Sequence, residues 1–534
     1  MKKIKLFVTV LCLQFFVLSI FAQTQNEPEA EVQSSLKSFI VVENLREHVL
    51  NPHLTSYSSD AQILTGLYEG LFTYDPVNLN PCYAIAINYR ISRDKKRWTF
   101  TINPDAKFSN GEKITAQSVR QSWLKLLATP GAPYSSLLDV IKGAEAFRNG
   151  KCTSEEVGIY ANSEDSLSIH LVKPANYLPK VLCHSAFSVV HEKSDVYSGP
   201  FYLTAGSPGF YQMKKNEYYW DKDNVSLDQI LFYQSDDEKD NAFYFNTGLA
   251  DWITANVDTS LLYNKKAISI AAEFATAYFF FKQNDSVWSK PEFRQALLEA
   301  VPWEILRKDF YVAAQTFVYP LSGYPQLDGY SYTDMNEAKN LMQQARIKYE
   351  IPQDKKLSLV FEMPENSVSE DRLTALCDSW AQLGVEVQIK LKKSYEYYSQ
   401  VSSSDSDMFI YTWIGDFADP LAFLELFRGN STLNDSKWIN SEYDRLLDQA
   451  AECSEEERYK LLAQAEKILL DDCEIIPVHH PVISNIVDKN TVGGWSENAF
   501  DIHPLKYLYK KAEKSTVPNI VDLKNERHLS IMVY

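Results

Sequence analysis

The side chains able to do chemistry fall into few groupings. Asp405, Asp407, Asp416 and Asp419 form an acidic cluster, and His479 and His480 stand together after the run IIPV. A calcium loop would alternate its ligands regularly around a glycine and end on a glutamate, a pattern these aspartates lack. Adjacent residues of a strand point to opposite faces, so the two histidines are poorly placed to share one metal and are read as ordinary strand residues. The sequence contains no GxxxxGK[ST] phosphate loop, GxGxxG fingerprint, HExxH zinc helix or GxSxG elbow. An enzyme therefore has no anchor here, and neither a cofactor nor a metal is expected.

The elements around the acidic cluster follow from hydrophobic period. LSLVF (Leu357 to Phe361) predicts a strand, Leu373, Leu376, Cys377, Trp380 and Leu383 a helix stopped by Gly384, and Val385, Val387, Ile389 and Leu391 a second strand. A short helix around Tyr395 to Val401 and a third strand, Met408 to Ile414, follow. That order predicts an α/β layer with a largely parallel sheet, and it places Gly415 and Asp416 just past a strand's carboxyl end. Upstream, Ser59 with Gln62 suggests a capping box opening a helix from about Asp60 to Gly70, and Trp98 to Ile102 reads as a strand. FSNGEK reads as a turn, and Thr115 opens a helix with Val119, Trp123, Leu126 and Leu127 on one face. From about Phe187 to Phe281 the pattern is β-rich; Ser289, Pro291 and Glu292 then suggest another capped helix start, and Ser454 with Glu457 a further one.

Lys2, Lys3 and Lys5 precede an apolar run from Leu6 to Phe21 that ends at Ala22, the pattern of a signal peptide cleaved after Ala22. A lipid anchor on Cys12 and an uncleaved anchor are the alternatives. Residues 23–37 read as a flexible tether. Loss of the three lysines takes the formal charge from −17 to −20 over the remaining 512 residues, which opposes nucleic acid and anionic membranes. That length suggests about three domains. Cys82, Cys152, Cys183, Cys377, Cys453 and Cys473 remain, and their spacing fixes no pairing.

Five segments, taken together, resemble the peptide-binding proteins of ABC transporters, the family 5 extracellular solute-binding proteins. They are LYEGLF.YD (Leu67 to Asp75), WTFTINPDAKFSNGEKITAQSVRQSW (Trp98 to Trp123), SGPFYL (Ser198 to Leu203), KNEYYWD (Lys215 to Asp221) and TWIGDFADP (Thr412 to Pro420), in the family's order. The resemblance covers roughly Phe39 to Lys511. It implies an α/β, periplasmic-binding-protein-like (type II) two-lobe fold with an additional third α/β domain and a discontinuous first domain. The corresponding division is 38–65 with 188–284 and 488–514, then 66–187, then 285–487, followed by a tail, 515–534. It further implies an exported, periplasmic, monomeric carrier that is not an enzyme. Such a carrier would capture short peptides between its lobes and pass them to an inner-membrane ABC transporter permease.

By the same resemblance Asp416 pairs with the ligand's α-amino group, flanked by Gly415 and Phe417, while Trp413 lies against the ligand. Tyr278, beside Phe279 and Phe280, and Tyr134 in APYSS would line the cleft. A buried ammonium costs several kcal/mol unless a carboxylate compensates it, which is the physical reason for an acid at that place. The alternatives are a turn aspartate bonded to its own backbone and, for the aromatic residues, ordinary packing in a chain with 13% aromatic content. The chain departs from the family where a disulfide would join the hinge strand to the residue after the tryptophan, since Thr276 and Ile414 stand there. Phe409, Ile410 and Tyr411 also offer no cation to a ligand carboxylate. A non-peptide solute such as a metal chelate, haem or sugar, a cell-envelope peptidase, and a surface adhesin or chaperone remain as other readings.

Overall fold

Period-two alternation is realised in three main sheets. The computed structural model describes residues 36–511 apart from 416 and 418, with side chains throughout except those of Tyr395 and Glu455. The signal peptide and Cys12, the tether up to residue 35 and the tail therefore lie outside the described residues. The first sheet has seven strands in the order Ile268–Ala272, Val482–Val487, Trp252–Ile253, Ser38–Glu43, Gln229–Gln234, Phe210–Lys215 and Phe201–Ser207. The second has five, Val385–Lys392, Leu357–Pro364, Met408–Ile414, Ala275–Phe281 and Ile475–His479. The third has four, Ala86–Ile91, Arg97–Ile102, Ser166–His170 and Ile159–Ala161.

The five-stranded sheet is mixed where a largely parallel one is expected. Leu357–Pro364 is parallel to both its neighbours, but Ala275–Phe281 is antiparallel to Met408–Ile414 and to Ile475–His479. The reason is connectivity. Ala275–Phe281 enters directly from the seven-stranded sheet rather than through a crossover helix, so nothing constrains it to run parallel. The chain returns to the seven-stranded sheet as Val482–Val487.

Two of the expected capping boxes are replaced by longer-range bonds. The first helix runs Ser58–Leu67 with Tyr57 at its N-cap. The Gln62 amide is committed to His503, donating to its carbonyl oxygen (2.7 Å) and accepting from its N–H (2.8 Å), and the Ser59 hydroxyl accepts from Arg46. The helix near Ser289 spans Pro291–Glu299 with Lys290 at the N-cap, because Ser289 bonds Asn284 and Glu292 takes Lys348 and Tyr349. Thr115, by contrast, caps Ala116–Ala128, accepting from the Ser118 N–H.

Four of the five segments that carry the family resemblance meet at one junction between the four- and seven-stranded sheets. Glu69 of the first accepts from Tyr219 Oη (2.5 Å) and Trp220 Nε1 (2.7 Å) of KNEYYWD and from Lys506 Nζ (2.9 Å). Its N–H donates to Ser198 Oγ of SGPFYL, and the Gly199 N–H donates to the Leu67 carbonyl at 2.9 Å. A Cβ on Gly199 would stand 2.6 Å from the Gly66 oxygen, so this crossing requires glycine. Ser109 of FSNGEK exchanges bonds with Tyr197, its N–H to the Tyr197 oxygen (2.8 Å) and the Tyr197 N–H to its hydroxyl (3.0 Å). Beside the junction Glu69 and Lys506 line a cavity of about 30 Å³.

A second polar knot ties the first strand to the first helix. The imidazole of His48 is held between Asp60 (Nδ1, 2.7 Å) and Glu43 (Nε2, 2.5 Å), and Thr55 Oγ1 donates to the other oxygen of Asp60. Burial alone would lower the His48 pKa, but hydrogen bonds and charge from both carboxylates raise it above its usual value. A folded-state pKa above the unfolded value stabilises fully below about 6.5, and that contribution is lost as pH rises through the raised pKa. Urea unfolding is accordingly expected to show stability declining above neutral pH, and His48→Gln to flatten that decline. An unchanged slope in the variant would refute this assignment.

Candidate ligand site between the lobes

Met408–Ile414 and Ala275–Phe281 set the site by their register. Ala275 faces Ile414, Thr276 faces Trp413 and Tyr278 faces Tyr411, so the carboxyl end of one strand meets the amino end of the other. Beyond Ile414 the Gly415 N–H donates to the Phe274 oxygen at 2.8 Å. A Cβ at 415 would fall 2.4 Å from the Phe274 ring, which is itself packed edge-on against Phe423. Close approach of two chains therefore dictates the glycine. Gly415→Ala is expected to destabilise by about 1–3 kcal/mol as Phe274 is displaced, a loss that urea unfolding would register.

The sequence-based site residues fall in three places. Trp413, Gly415 and Phe417 share the strand end; Asp416 lies outside the described residues. Trp413 is half-buried and its Nε1 donates to the Ala422 oxygen at 2.8 Å, which fixes the indole across its own loop. Phe417 is buried, parallel to the ring of Tyr177 with centroids 6.5 Å apart. Tyr278 is 1% exposed, enclosed by Phe317, Phe427 and Tyr411, and burial holds its hydroxyl pKa well above the usual value. Tyr134 belongs to the four-stranded body and lies 4.2 Å, centroid to centroid, from the ring of His184, whose pKa burial pushes down to about 4.

The body carrying the four-stranded sheet closes against this strand end through both apolar and polar contacts. One continuous cluster of buried side chains runs from Phe100, Trp123 and Tyr134 to Phe409, Phe417 and Tyr443. At the rim Thr432 Oγ1 donates to the Pro133 oxygen (2.6 Å), the residue before Tyr134, and the Thr432 N–H donates to Ser136 Oγ (3.2 Å). Arg148 donates to the Asn430 oxygen, whose own side chain donates to Glu145 (3.0 Å), and Lys173 pairs with Asp448 (2.6 Å). Sequence reasoning misses Tyr177, Arg148, Asn430 and Thr432. None sits at a periodic or motif position, and their roles exist only where two distant segments meet.

The other chemistry-bearing groups have structural work. His479 stacks on Phe310 (3.7 Å) while His480 Nδ1 reaches the Ala275 oxygen (2.9 Å), so they face different neighbours as expected. Asp407 accepts from the Val360 N–H and from Asn284, and Asp419 pairs with Arg458. The six cysteines among the described residues are free thiols.

The bacterial extracellular solute-binding proteins, family 5 Middle, match this chain over residues 80–435. The chain belongs to that family. As a family 5 solute-binding protein it works outside the cytoplasm as a binding protein and not an enzyme, and the peptidase reading gives way. This family 5 protein is 29% identical over 460 residues to the dipeptide-binding protein DppE of Bacillus subtilis (strain 168), covering 78% of this chain and 82% of DppE. It is 28% identical to the oligopeptide-binding protein OppA of the same organism, covering 92% and 97% of the two chains. The fold is that of the Escherichia coli murein tripeptide binding protein MppA, with a TM-score of 0.79 at 21% identity over 90% of this chain and 99% of that one. The unliganded open form of MppA matches at 0.61 with the same coverage.

Proposed function

We propose that this chain captures short peptides between its lobes in the periplasm, as a monomer, and delivers them to an inner-membrane ABC transporter permease. The observation that carries this reading is the strand-end loop of TWIGDFADP faced by Tyr177 of the opposite body through Phe417, with Thr432 at the rim bonded to Pro133 and Ser136 of that same body. A ligand enclosed there leaves water, so a charged amino terminus needs a compensating carboxylate, and Asp416 stands in that loop. DppE and OppA, named for dipeptides and oligopeptides, support the same ligand class. Trp413, Gly415, Phe417, Tyr134 and Tyr278 are proposed to shape or support the site. Contacts made only in the closed form would shift an open–closed equilibrium, and the transporter would read the closed form.

The division into 38–65 with 188–284 and 488–514, 66–187, and 285–487 is proposed with two adjustments. Ala275–Phe281 pairs with the five-stranded sheet and Val482–Val487 with the seven-stranded one, so the crossings near Glu273 and Pro481 are the better boundaries. Native mass spectrometry of the purified protein followed by calorimetry with tri- to pentapeptides tests the function. Bound peptides and saturable heats are expected. A carried solute without an amine, together with no heat from any peptide, would end the peptide reading.

A further inference from the structure

Asp419, within the strand-end loop, and Arg458, on the helix Glu455–Asp471, are 4% and 8% exposed. Their contact is a two-pronged fork, Nη1 to Oδ2 at 2.5 Å and Nη2 to Oδ1 at 2.7 Å. Asp419 in turn fixes the loop: its N–H donates to the Phe417 oxygen at 2.7 Å, and its Oδ1 accepts from the Leu421 N–H at 2.9 Å. The same guanidinium reaches out of its own body. Its Cζ lies 5.4 Å from the ring centroid of Tyr177, which comes from the four-stranded body and also lies parallel to Phe417. Glu425 and Arg428 add opposing charges near that ring.

We infer that Arg458 is a positioning residue that ties closure of the lobes to the order of the ligand loop. Its carboxylate partner belongs to the loop and its aromatic partner to the opposite body, so the two contacts share one planar cation. With Tyr177 in place the guanidinium is held on both sides and the loop at Phe417 is fixed. With Tyr177 withdrawn, one constraint is gone and the loop regains freedom that a ligand must remove again on binding. Arginine is required for this arrangement, because lysine can neutralise Asp419 but offers neither the fork nor a flat face to an aromatic ring. The ligand half of this inference rests on the capture reading; the closure half does not.

Single-molecule energy transfer between dyes on unnatural amino acids at exposed Tyr160 of the four-stranded body and exposed Ile347 of the five-stranded one measures closure directly. In the ligand-free protein, Tyr177→Leu and Arg458→Lys are each expected to lower the closure constant about fivefold. The double variant should be no worse than about one of them alone. Tyr177→Phe, which keeps the ring, should restore wild-type closure, and the melting temperature of Tyr177→Leu should stay within a few degrees of the wild type, which separates positioning from mere stability. An unchanged closure constant in both single variants, or single effects that multiply to about twenty-five-fold in the double, would overturn the inference. Adding a mixture of tri- to pentapeptides tests the capture reading separately. If wild type fails to close on peptide, that reading falls while the ligand-free measurements still decide the role of Arg458.

Discussion

Asp416→Asn is expected to weaken tripeptide binding by about 2–5 kcal/mol, the usual cost of removing one partner from a buried charge pair. The substitution preserves shape and hydrogen-bonding capacity and removes only charge, so the loss reports on the ligand's ammonium. Peptides acetylated at the amino terminus provide the matching half of the experiment. They should bind the wild type as weakly as free peptides bind the variant, and should discriminate little between the two proteins. Calorimetry on the four combinations measures the coupling. Equal affinity of wild type and Asp416→Asn for a free peptide would remove Asp416 from the site, even though Gly415 and Phe417 on either side of it are buried at the closing face of the two bodies.

Glu69→Leu should cost about 3–5 kcal/mol of folding stability, because it strands a buried cation. Lys506 is 6% exposed and pairs with Glu69, and Tyr219 and Trp220 donate to the same carboxylate. Adding Lys506→Met should recover a large part of the loss, since removing both charges leaves no uncompensated ion, although two aromatic donors still lose their acceptor. Urea unfolding of the two single variants and the double variant gives the cycle. A single-variant loss below about 1 kcal/mol would mean that water reaches Lys506 and that the junction is not sealed.

Parts of this architecture are legible in the sequence because they depend on neighbours in the chain. Met408–Ile414 is read at its observed bounds, since a compact apolar run ends there at a glycine that packing demands. The Thr115 helix is read for the same kind of reason, its cap lying three residues from its partner. What escapes is whatever depends on distant partners. Ser59 and Gln62 have the spacing of a capping box, but Arg46 and His503 claim their side chains, and tertiary bonds override local propensity. The antiparallel placement of Ala275–Phe281 depends on which sheet the chain has just left, which no window around that strand reports. Of the candidate site residues, Trp413, Gly415 and Phe417 stand at one strand end because they are near neighbours in the chain. Tyr278 is instead packed on all sides by aromatic rings, and Tyr177 carries no local mark of facing Phe417 from the other body.

The junction where Glu69, Ser198, Gly199, Tyr219 and Trp220 converge has a practical corollary for cargo redesign. Four of the five segments by which this chain is recognised as kin to its relatives belong to the chassis, and only TWIGDFADP reaches the candidate site just past Ile414. Changes at that site therefore leave the joint intact, so the four signatures that build the joint carry no information about the load.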